Sequence, residues 1–163
     1  MKSRTFLLSI LLALGAFSCT STSGVQSVEG TALKNLLEGK NFIFQAQSAQ
    51  PGRGTTRPLT AGYELRVSGD TLAAQLPYFG RAYSAPSNMT GGGIEFTSTH
   101  FGYALEAQKK GRWNITIEPK DDQDVRQMLL SVSENGYASL QVLSNNRDPI
   151  TFNGMVVQRA ERR

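Results

Sequence analysis

The stretch YELRVSGDTLAAQL, Tyr63 to Leu76, reads as two runs of alternating polarity around Gly69-Asp70. Tyr63, Leu65 and Val67 alternate with polar neighbours on the first run; Leu72, Ala74 and Leu76 do so on the second. A period of two is the mark of a strand with one face buried. A two-residue loop at Gly69-Asp70 sets Val67 opposite Leu72, Leu65 opposite Ala74 and Tyr63 opposite Leu76, so the apolar side chains share a face. Glycine first in the loop suits a type II′ turn, whose twist matches that of the strands it joins. The stretch is therefore an antiparallel hairpin.

The same register test fixes two more hairpins. Tyr103, Leu105, Ala107 and Trp113, Ile115, Ile117 share a face only if Lys109-Lys110-Gly111 forms a three-residue loop with Gly111 left-handed. Asn135-Gly136 looks like a two-residue type I′ turn, yet that register sets Val132, Leu130 and Met128 against Ser139, Gln141 and Leu143. Taking Glu134-Asn135-Gly136 as the loop pairs Val132 with Ala138, Leu130 with Leu140 and Met128 with Val142. The three-residue loop is predicted.

Alternation marks nine strands: 42–46, 63–67, 71–76, 93–97, 101–107, 113–118, 126–132, 137–143 and 150–157. Ahead of them, Ala32, Leu33, Leu36 and Leu37 form one apolar stripe at helical spacing, closed by Gly39 in a C-cap position, which predicts a helix over 29–38. The expected fold is all-β: an antiparallel meander of eight or nine strands, curled into a barrel or sandwich to bury its apolar face, with one short N-terminal helix. Residues 31–158 make a single β domain.

Two connections are long for such a domain, 48–60 and 77–92, and loops of that length carry function or move. The second opens with LPYFGRAYSAP, Leu76 to Pro86. Pro77 cannot donate to a ladder and ends the strand. Tyr78, Phe79 and Tyr83 can plug one end of the apolar layer, with Arg81 stacked on a ring or paired to a carboxylate. The alternative is a lid or rim that contacts an amphipathic ligand or a partner. These four residues are the candidate site.

The N-terminus has a basic start, an apolar run from Phe6 to Phe17 too short to span a membrane, and small residues after it: a secretory signal over 1–18. Cys19, the only cysteine, stands where a bacterial lipobox is lipidated, although Ala16 replaces the usual leucine, and Ala16-Phe17-Ser18 also suits ordinary signal peptidase. A Ser/Thr-rich stretch then tethers the domain, so 19–30 serves as lipid attachment and flexible linker. Without Lys2 and Arg4 the formal charge falls from +4 to +2, and the basic tail 159–163 holds three of the remaining arginines. That is too mild a balance for a nucleic-acid surface.

The sequence is poor in chemistry. His100 is the only histidine and falls in a turn; no Cys/His cluster has metal-ligand spacing, and no Gly-x-Ser-x-Gly elbow is present. Lys120-Asp121-Asp122-Gln123-Asp124 lacks the spacing of a calcium loop and reads as a solvated connection. No cofactor, metal or catalytic residue is predicted.

LPYFGRAY, followed by GGGIEF, KKGRWNITIE and SLQVLSNNRDPITFNG, resembles an uncharacterised family of bacterial envelope lipoproteins, domain of unknown function 4251, over roughly 40–157. The resemblance implies an exported all-β domain behind a lipoprotein signal, and no activity or functional residue. The expectation is an exported envelope protein, facing the periplasm and held to the membrane through lipidated Cys19. Its role would be a non-enzymatic binding or interaction module for an unknown protein or small molecule. The alternative is a lipocalin-like carrier of an apolar or amphipathic ligand, which a core filled by Trp113, Leu105, Leu130 and Leu140 would oppose. Least favoured is a hydrolase using carboxylates alone.

Overall fold

The computed structural model describes residues 30–83 and 92–158. The expected signal, Cys19, most of the expected tether, the segment 84–91 and the basic tail lie outside the described residues. A helix, α1 (Gly30–Glu38), precedes ten strands: β1 (Asn41–Pro51), β2 (Arg57–Pro58), β3 (Glu64–Ser68), β4 (Thr71–Leu76), β5 (Ile94–Ser98), β6 (Phe101–Gln108), β7 (Arg112–Pro119), β8 (Val125–Ser133), β9 (Tyr137–Ser144) and β10 (Ile150–Val157). All pairings are antiparallel, in the order β5-β4-β3-β1-β10-β9-β8-β7-β6, with short β2 beside β1, and the sheet curls into a half-barrel.

The three hairpins have the expected registers. Val67 pairs with Leu72 and Leu65 with Ala74; Ala107 pairs with Trp113 and Leu105 with Ile115; Val132, Leu130 and Met128 pair with Ala138, Leu140 and Val142. Gly69, Gly111 and Gly136 carry the positive φ angles their turns require. At the end of α1 it is Lys40, at φ 49°, that takes the left-handed conformation rather than Gly39.

Two features depart from a plain meander. The first strand runs on to Pro51 and pairs with β2, so half of the expected 48–60 loop is sheet. A bulge between Ala46 and Ser48 inverts the alternation, so Phe42, Phe44 and Ala46 face the core and then Ala49 does. The period of two breaks at Gln47, which is why alternation stops the strand there. In addition, β1 pairs with β10, joining the first and last of the described strands along eight residue pairs.

Eight antiparallel pairings separate β5 from β6 around the sheet. An even number means that both run in the same direction, and only Thr99 and His100 lie between them. They are two halves of one bent run, one on each edge of the sheet. The bend is stitched down: Ser98 Oγ and the His100 backbone bond to each other, the Thr99 amide donates to Asp121 at 3.2 Å, and the Lys120 amide donates to the His100 carbonyl at 2.8 Å.

The inner face is filled. Phe42, Phe44, Leu65, Leu72, Met128, Leu140 and Phe152 are fully buried, Leu130 and Trp113 nearly so, and Leu105 packs half-buried against them. Leu33 and Leu37 of α1 join this core. The end of the helix reaches one edge strand and one turn: Tyr103 of β6 donates its hydroxyl to the Leu37 carbonyl at 2.7 Å, and the Gly69 amide donates to the Lys40 carbonyl at 2.8 Å. One short helix thereby ties the β3–β4 turn to the opposite edge of the sheet.

Candidate functional site

The segment 77–83 closes the end of the half-barrel away from α1. It docks on the β9–β10 connection, so LPYFGRAY and NNRDP, far apart in sequence, form one structure. The Tyr78 hydroxyl donates to the carbonyls of Arg81 at 2.7 Å and Asp148 at 3.0 Å. The Asp148 amide returns a bond to the Arg81 carbonyl, and the Tyr83 amide donates to Asn146. Burial, then the Asp148 charge, raises the Tyr78 phenol above its ordinary value; hydrogen bonding to the Asp148 carboxylate raises Tyr83.

Arg147 is the centre of this end and is only 5% exposed. Its Nη1 donates to the carbonyls of Gly92 and Gly93 at 2.7 and 3.1 Å, and its guanidinium carbon lies 5.1 Å from the centre of the Tyr78 ring. Nη2 stands 2.9 Å from Asp124. That contact is a charge pairing without the alignment of a hydrogen bond. Nothing in its neighbours hints at this burial, because an arginine between asparagine and aspartate in a loop normally signals solvent.

The four candidate residues therefore divide. Tyr78 and Phe79 pack against the core, and Phe79 also lies 5.0 Å from the Arg57 guanidinium. Arg81 is exposed and contributes its backbone; Tyr83 is 71% exposed, its ring free while its hydroxyl bonds to Asp148 and its amide to Asn146. They do not converge on a cavity as one set.

The acidic stretch 121–124 is likewise committed to structure. Asp121 holds the bend after β5, Asp122 caps its own loop through the amides of Asp124 and Val125, and Asp124 faces Arg147. Among the described residues no group of three or more His, Cys, Asp or Glu is placed to hold a metal ion. His100 is exposed at the bend.

A second feature, which sequence reading missed, lies on the outer face. Asn114, Ser131, Ser139, Asn153 and Ser48 stand directly opposite one another on β7, β8, β9, β10 and β1. These short side chains form the floor of a groove of about 670 Å³. Five strands at about 4.8 Å spacing make this row ~19 Å long. Gln108, Arg112 and Tyr137 stand on its side nearer the hairpin tips, and Tyr137 is 57% exposed. The bulge at Gln47 shapes the far end, where the strand backbone presses so close to Gly154 that a β-carbon there would lie 1.9 Å from the Gln45 carbonyl oxygen. Part of the signal lay in the sequence, in the outward positions of Asn114, Ser131, Ser139 and Asn153 on predicted strands; the β7–β8, β9–β10 and β1–β10 registers that align them did not follow from the three hairpins.

None of the curated proteins matches this chain. Among solved structures, it is similar to the crystal structure of a DUF4251 family protein from Bacteroides eggerthii DSM 20697. The TM-score is 0.60 at 16% identity, over 81% of this chain and 89% of that one. A likeness at that identity speaks for the fold. The family model described as Domain of unknown function (DUF4251) matches residues 25–156, most of the length, and the chain belongs to that family.

Proposed function

We propose that this protein is a non-enzymatic binding module of the cell envelope, anchored through lipidated Cys19 and facing the periplasm, with its ligand on the outer face of the sheet. The observation that carries this reading is the polar row across β7, β8, β9, β10 and β1, set behind a packed interior. A carrier of apolar ligands needs an empty barrel, whereas Trp113, Leu130 and Leu140 fill this one. The acids of 121–124, the densest acidic stretch of the sequence, hold the bend, their own loop and Arg147, and lend no support to carboxylate catalysis there. The N-terminal basic-apolar-small pattern ending at Cys19 supports the anchor.

Two measurements test it. Labelled palmitate should enter the wild-type chain and not Cys19→Ala. A photo-crosslinking residue at Ser139 in living cells should capture an envelope component that one at Thr97, on β5, does not. No palmitate incorporation removes the anchor, and equal capture at both positions removes the outer-face site.

A further inference from the structure

The geometry points to an oligosaccharide as the ligand of the groove across β7–β10 and β1. This rests on the binding-module reading and goes further, by naming the chemistry of what is bound. The five strands under the polar row are each paired on both sides, so their backbone donors and acceptors are already spent in the ladder. An extended peptide added by main-chain bonding needs an open edge, and finds none along the row; the β6 edge lies only at its margin, where Gln108 stands. What remains available is side-chain chemistry.

That chemistry is narrow. The floor offers serine hydroxyls and asparagine amides, which both donate and accept, and sugar hydroxyls do the same. Ser131 donates to Asn114 Oδ1 at 3.0 Å, which orients that amide and leaves its nitrogen as a donor to the groove. Tyr137 supplies a half-exposed ring, an apolar face with a polar tip, on which the C–H face of a sugar ring can stack. The lining contains no Asp or Glu and one cation, Arg112, so an acidic sugar is tolerated and a basic polymer gains nothing. The ~19 Å row is longer than one sugar ring, so the site takes a short oligomer.

The test is titration of the purified chain with a panel of short oligosaccharides, neutral (gluco-, manno- and chito-oligomers) and uronate-containing, with binding read by calorimetry. Binding of one or more members is expected, weakened about tenfold by Tyr137→Ala and by Asn153→Ala, the scale of one hydrogen bond or ring contact, at unchanged thermal midpoint. If uronates are preferred, Arg112→Gln should abolish the preference. Should no member bind at millimolar concentration, or should both alanine variants bind as wild type does, the oligosaccharide assignment is overturned. Capture of an envelope protein at Ser139 with no oligosaccharide binding would also overturn it while leaving the binding-module reading intact.

Discussion

At the scale of single residues, two positions set the limits of this domain. Arg147 is a cation taken out of water, and its compensation is spread over two carbonyls, one carboxylate and one aromatic face. Removing one partner of a buried charge set typically costs about 3 kcal/mol or more. Arg147→Ala should therefore lower unfolding stability by about 3 kcal/mol in urea titration, whereas Arg81→Ala, on an exposed side chain, should change it by less than ~0.5 kcal/mol. Gly154 is the opposite case, defined by what it lacks. A β-carbon there would overlap the Gln45 carbonyl and approach Ala46 Cα at 3.1 Å, and backbone has nowhere to retreat. Gly154→Ala should cost about 2 kcal/mol or more, read as a lower urea midpoint at unchanged slope.

At the scale of elements, the bend joining β5 to β6 depends on Asp121. Hydrogen bonding from Ser98, with the amides of Thr99 and His100, holds its carboxyl below the ordinary 3.8. A folded value below the unfolded one stabilises the native state above about 4, and that stabilisation is lost as the pH falls through the folded value. The thermal midpoint should drop on acidification below pH ~4, and Asp121→Asn should lower it at neutral pH and flatten that acid dependence. The helix has a comparable fastening. Tyr103→Phe deletes the bond to the Leu37 carbonyl, and should cost about 1 kcal/mol and speed amide exchange over 33–38. How far these elements were legible depends on how local their causes are. Hairpin registers at 69–70, 109–111 and 134–136 follow from neighbours in sequence, because a one-residue slip would turn a core face outward. The bulge at Gln47 defeats the same logic by changing parity inside a strand. Tyr78 and Arg147 meet through a seam between distant segments, and nothing near either residue announces the other. The groove was half legible: Asn114, Ser131, Ser139 and Asn153 alternate with core residues on predicted strands, but Ser48 was read as loop and the alignment of the row needed the β1–β10 pairing.

At the scale of the whole molecule, the sheet has two edges that are consecutive in the chain, which is how an open half-barrel avoids presenting two unrelated free strands. The half-exposed β6 edge should be the faster exchanger: its amides should lose protection before those of β10, which is paired on both sides, in native-state hydrogen exchange. The pairing of β1 with β10 has a mechanical consequence. The antiparallel register brings Ile43, near the start of the domain, opposite Val157, near its end. A pull that separates these two points loads the ladder one bond pair at a time, as a zipper opens. A load on a molecule bound across β7–β10 would instead be shared among several ladders at once. The domain is thus weak against tension between its own ends, and sturdier against a load shared across its outer face.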